Sequence, residues 1–123
     1  MEGTKVLFVE DSPTMRRIIM NSLKSIGFKA IIEAEKGVDA LEKIEDDVGL
    51  IITDWNMPEM NGKELVEKLR GEDKFKTTPI VMVTTRGMQD DVMDAIKSGV
   101  NGYIIKPFNP EVLEKKIKEV FAS

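Results

Sequence analysis

The chain contains neither cysteine nor histidine. Without cysteine, disulfides and thiolate metal sites are excluded. Without histidine, imidazole metal ligands, histidine general bases and phosphohistidine carriers are excluded as well. No apolar run approaches the roughly 20 residues of a membrane-spanning helix, and no signal-peptide apolar region follows Met1. A soluble, cytoplasmic protein with no membrane partner is the expectation. Positive charge is also in deficit: 18 Lys and Arg face 22 Asp and Glu, a net charge of −4 that argues against a nucleic-acid partner. Low-complexity segments and linkers are missing too. What remains for chemistry is carboxylates, amines, hydroxyls and backbone. With 41% hydrophobic residues, 123 residues suffice for one globular domain with its own core.

The apolar pattern alternates strand with helix. Lys5–Val9 predicts a first strand, followed by Glu10-Asp11 and by Ser12-Pro13, a cap and first-turn proline that open a helix ending at Gly27. Met15, Ile18, Ile19 and Ile26 are expected on its inner face. Lys29–Ala34 predicts a second strand, and Val38–Asp46 a helix with Val38, Leu41 and Ile44 inward. Leu50-Ile51-Ile52 is an unbroken apolar run ending at Asp54, as in a strand buried on both faces. Asn61-Gly62 leads into a helix bearing Leu65, Val66 and Leu69. Gly71–Thr78 reads as a polar surface loop. Pro79–Val83 is a fourth buried strand. Gln89–Ser98 is a helix with Val92, Ala95 and Ile96 inward. Gly102–Ile105 is a fifth strand, and Asn109-Pro110 opens a last helix with Leu113, Ile117 and Val120 inward. Strands recurring every 20–30 residues or so with helices between them predict an α/β fold, a doubly wound parallel sheet covered on both faces.

In a parallel sheet the strand ends share one edge. Glu10, Asp11, Asp54, Thr84 and Lys106 all follow strands and should gather there. Clustered carboxylates repel unless a cation is present, and an all-oxygen donor set suits a hard ion such as Mg2+. An ammonium and a divalent ion beside Asp54 would stabilise charge on a transferring phosphoryl group, with Asp54 as nucleophile. The Thr84 hydroxyl could follow the new oxygens.

These residues, with Val9-Glu10-Asp11-Ser12, Thr53-Asp54-Trp55-Asn56-Met57-Pro58-Glu59-Met60-Asn61-Gly62, Val83-Thr84 and Gly102-Tyr103-Ile104-Ile105-Lys106-Pro107-Phe108, carry a resemblance that runs from Val6 to Phe121. The chain resembles the receiver domains of two-component response regulators, and among them the single-domain chemotaxis regulators of the CheY type. The resemblance implies a flavodoxin-like (βα)5 fold with strand order 2-1-3-4-5. It implies Asp54 as phosphoacceptor, with Mg2+ held by Glu10, Asp11, Asp54 and the backbone carbonyl of Asn56. Lys106 would contact the phosphoryl group, and its peptide bond to Pro107 would be cis. Thr84 would be the switch hydroxyl and Tyr103 the aromatic that follows it. The implied donor is a sensor histidine kinase, and the implied partner the flagellar motor switch, with an assisting phosphatase. The resemblance also implies hydrolysis of the chain's own acyl phosphate. Glu10 departs from the pattern, since Asp is commoner there; its longer reach suggests metal contact through water. Arg86 and Asn56 flank the route of an attacking water, so Arg86 is expected to shield the acyl phosphate.

One helix beyond Lys106, the chain is expected to be a monomeric receiver with no output domain, a signalling switch in place of an enzyme. Its expected output surface comprises the last helix, the fifth strand and Gln89–Ser98. Three other readings stay open. A flavodoxin-like cofactor binder is opposed by negative charge at Glu10-Asp11, where a phosphate cradle would lie. A phosphatase with an Asp nucleophile would need a specificity cap. A phosphorelay or developmental receiver would act without the motor.

Overall fold

The computed structural model describes residues 3–122. Its elements are β1 (Lys5–Val9), α1 (Pro13–Ile26), β2 (Ala30–Ala34), α2 (Gly37–Lys43), β3 (Val48–Thr53), α3 (Gly62–Arg70), a 3-10 turn (Asp73–Phe75), β4 (Ile80–Thr84), α4 (Gln89–Ser98), β5 (Gly102–Ile105) and α5 (Pro110–Ala122). The five strands form one parallel sheet in the order β2-β1-β3-β4-β5, as the resemblance implied.

Strand alternation divides the core in two. Leu7, Val9, Ile51, Ile80 and Met82 face one layer, where Leu65, Val66 and Leu69 of α3 and Ala95 of α4 meet them. Val6, Phe8, Leu50, Ile52, Val81 and Val83 face the other, against Ile19 and Leu23 of α1 and Leu113, Ile117 and Val120 of α5. The period of two sends neighbours to opposite faces, so a strand flanked by helices on both sides must be apolar throughout. That explains the unbroken run in β3, where Leu50, Ile51 and Ile52 are no more than 1% exposed. The chain steps outward from β1 to β2, then reverses across β1 to β3. Right-handed crossovers turn that reversal into a change of face for the connecting helix. The switch point between β1 and β3 follows from it.

The helix ends obey their capping chemistry. Ser12 Oγ accepts from Met15 N–H, and Gly27 closes α1 with φ 118°. Asn61 and Glu64 form a capping box at α3. Asn109 Oδ1 accepts from Val112 N–H at α5, at 2.9 Å.

Four local expectations fail. In α1 the buried stripe is Ile19, Ser22 and Leu23, while Ile18 lies one position off it and is exposed. Helix α2 ends at Lys43, because Ile44 is already extended, and Val38 faces solvent. In α4 Ala95 is buried and Ile96 points outward. Gly71–Thr78 is no plain surface loop: Phe75 is fully buried. Arg70 holds it in place, its Nη1 donating to the carbonyls of Phe75 at 2.6 Å and Thr78 at 2.7 Å.

Candidate functional site

The C-terminal ends of β1 and β3 lie side by side at the switch point, where open α/β sheets keep their sites. The ladder runs on past the strands: Glu10 N–H donates to Ala34 O at 3.0 Å, Asp54 N–H to Val9 O at 3.1 Å, and Lys106 N–H to Thr84 O at 2.8 Å. Backbone hydrogen bonding therefore holds all three charged residues at fixed depth.

Their side chains converge. Lys106 Nζ donates to Glu10 Oε1 at 2.6 Å and to Asp54 Oδ2 at 3.1 Å. Carboxylate oxygens of Glu10, Asp11 and Asp54 lie within 4.8 Å of one another. Glu10 and Asp54 are 1% and 7% exposed, whereas Asp11 is open to solvent. The second oxygens are also held: Ser12 N–H donates to Glu10 Oε2 at 3.0 Å, and Trp55 N–H to Asp54 Oδ1 at 2.6 Å. Glu10 thus has both oxygens engaged. Among the described residues nothing bonds to the Asp11 carboxylate.

Burial and charge pull these groups in different directions. Burial pushes Glu10 above the usual carboxylate range, outweighing its hydrogen bonds from Lys106 and Ser12. Burial pulls Lys106 down, but its hydrogen bond to Glu10 and the Asp54 charge outweigh that and hold the ammonium above the ordinary lysine value. Lys106 is therefore a permanent cation at neutral pH. Three carboxylates against one ammonium leave room for a divalent ion, and the donor set is all oxygen. Asp11, Asp54 and Glu10 are the groups that could hold it.

The other predicted residues meet at Arg86. Its Nε donates to Asn56 Oδ1 at 3.1 Å, its backbone N–H to Thr84 Oγ1 at 3.3 Å, and its carbonyl accepts from Tyr103 Oη at 2.6 Å. The guanidinium pairs with Asp91 at 3.2 Å and lies over the Trp55 ring, 4.7 Å from its centroid. Burial first, then the Asp91 charge, pushes the Tyr103 phenol up to about 12. Lys106-Pro107 is cis.

Two contributors had no role assigned from the sequence. Gly62 N–H donates to Trp55 O at 2.8 Å, and a Cβ there would stand 2.1 Å from the Asp54 carbonyl oxygen. A glycine at a helix start was the available signal. Arg16, one of two adjacent arginines, gave none.

The sequence model of the response regulator receiver domain matches residues 6–118. This chain belongs to that family. The receiver domain is 51% identical over 121 residues to chemotaxis protein CheY1 of Helicobacter pylori strain J99, covering 97% of this chain and 98% of that one. Against a chemotaxis protein CheY homolog of Campylobacter jejuni (serotype O:23/36, strain 81-176) it is 52% identical over 121 residues, 97% and 93% of the two chains. Its fold superposes on chemotaxis protein CheY4 of Vibrio cholerae with a TM-score of 0.89 at 36% identity, covering 95% of this chain and 98% of that one. Receiver domains bind Mg2+ at an acidic site, and the cluster of Glu10, Asp11 and Asp54 fits such an ion by its donors and charge. No helix among the described residues is long and apolar enough to cross a membrane.

Proposed function

We propose that this receiver domain is a CheY-type chemotaxis switch, phosphorylated on Asp54 by a sensor kinase and read by the flagellar motor switch. The observation that carries the reading is the Lys106 ammonium bridging Glu10 and Asp54 beside the open Asp11 carboxylate. Nucleophile, cation and metal donors then occupy one small volume.

A carboxylate oxygen of Asp54 attacks the phosphorus of the kinase phosphohistidine. The P–N bond breaks, the imidazole leaves and takes up a proton, and a mixed anhydride forms on Asp54. Asp11, Asp54, Glu10 and the Asn56 carbonyl would hold a magnesium ion, which would supply positive charge for the transferring oxygens. Lys106 supplies the second positive contact and is already aimed at Asp54. Trp55 N–H orients one Asp54 oxygen, and burial limits water around the other. Attack by water on the same phosphorus later releases phosphate and restores the carboxylate. An assisting phosphatase would act on that step.

Output follows from two states of one domain. The Thr84 hydroxyl and the Tyr103 phenol both bond to the backbone of Arg86, which supports a route from phosphate to surface through that residue. A coupling of roughly 1–3 kcal/mol would change partner affinity about 5- to 150-fold. The surface concerned carries exposed Met93, Ile96, Ile105 and Val112 on α4, β5 and α5. Apolar groups at this density suit a protein partner.

Incubation with Mg2+ and acetyl phosphate, read by intact mass, tests the chemistry. The wild-type chain gains one phosphoryl group and loses that gain in excess EDTA. Asp54→Asn keeps its circular dichroism spectrum and gains nothing. A phosphoryl adduct on Asp54→Asn would overturn the assignment.

A further inference from the structure

Beneath the acidic pair lies a charged side chain with no part in phosphoryl transfer itself. Arg16 sits in the first turns of α1 with its side chain only 17% exposed. Its Nη1 donates to the backbone carbonyls of Glu10 at 3.1 Å and Asp11 at 3.2 Å. The remaining nitrogens of the guanidinium meet Glu33 at 3.9 Å and Glu35 at 3.6 Å, in β2 and just beyond it. One planar fork thus ties the β1–α1 loop to the neighbouring strand. That geometry needs several donors in fixed directions, which arginine has and lysine lacks.

We infer that Arg16 is a positioning residue that sets the affinity of the acidic cluster for a divalent cation. The inference rests on the reading that the cluster takes Mg2+. Glu10 is aimed by Lys106 and Ser12 N–H. Among the described residues Asp11 has no partner for its carboxylate, and Arg16 is what holds its carbonyl. Without the guanidinium the loop is free to turn its carbonyls to solvent, and the cost of ordering the ligands falls on the binding step. A cation so near the site would by charge alone repel Mg2+. Glu33 and Glu35 offset that charge from the far side, so hydrogen bonding dominates what Arg16 does for the pair.

MgCl2 titration of the full chain tests this, read by calorimetry and by emission of Trp55, the only tryptophan. Arg16→Gln is expected to bind Mg2+ about tenfold more weakly, as loss of a partner behind a metal ligand does, at low and high salt alike. Arg16→Lys regains part of the loss. The double variant Glu33→Gln, Glu35→Gln binds more weakly at low salt only, because the uncovered arginine charge is screened as salt rises. Arg16→Gln with a lower melting temperature but wild-type affinity would make Arg16 merely structural and overturn the inference. Tighter binding by Arg16→Gln would make it a simple repulsive charge and overturn the inference equally. If Arg16→Gln does not fold, wild-type affinity in both Arg16→Lys and the double variant overturns the inference in its place. A wild-type chain that takes up no Mg2+ by either readout would sink the reading of the cluster itself.

Discussion

Two adjacent acids in one loop divide their labour. Glu10 is buried with both oxygens engaged, and Asp11 stands open with neither. The free carboxylate should therefore contribute more to metal affinity than the occupied one. Asp11→Asn is expected to weaken Mg2+ binding on the order of tenfold or more, and Glu10→Gln by less; Mg2+ titration ranks them. Arg86 was expected from its spacing to shield the phosphorylated aspartate. The structure lays its guanidinium over the Trp55 ring and bonds it to Asn56. Arg86→Ala should speed loss of phosphate about fivefold, the effect of one hydrogen bond of about 1 kcal/mol on a barrier. An unchanged dephosphorylation rate would remove the idea.

At the scale of elements, the loop from β3 to α3 sets the geometry of Asp54. Helix α3 starts so close beneath the Asp54 backbone that no side chain fits at its first residue. Gly62→Ala puts a Cβ 2.1 Å from the Asp54 carbonyl oxygen, a backbone atom that cannot rotate away. The helix start must move, at a cost of roughly 1–3 kcal/mol, as overpacking generally costs. A lower midpoint in urea together with weaker Mg2+ binding is the expected pair of changes; an unchanged midpoint would show that the loop yields freely.

For the whole molecule, the reversal of the chain after β2 places the acids, and the β4–β5 side of the sheet carries an exposed apolar surface. The site straddles β1 and β3, while the exposed side chains of Met93, Ile96, Ile105 and Val112 lie on α4, β5 and α5. Arg86, in the loop between β4 and α4, bonds toward both. Chemistry and binding should therefore separate by mutation. Ile105→Asp is expected to accept phosphate from acetyl phosphate as the wild type does. It should capture the motor-switch protein at least tenfold less well when both are loaded with beryllofluoride, as loss of a buried interface anchor costs about 2 kcal/mol. Equal capture would move the output surface elsewhere.

The amino-acid order alone determined the alternation of strand and helix, the capped starts of α1, α3 and α5, and the gathering of Glu10, Asp11, Asp54 and Lys106 at one edge. Those features are local in cause: apolar period, cap chemistry, and the common direction of parallel strands. Tertiary structure decided what depends on distant neighbours. Which of Ile18 and Ile19 turns inward depends on how α1 lies on the sheet. Phe75 is buried because Arg70, five residues earlier, draws its turn against the core. The unequal exposure of Glu10 and Asp11, the crowding at Gly62 and the fork of Arg16 likewise arise where separate segments meet. No period or motif within one segment encodes the distance between two.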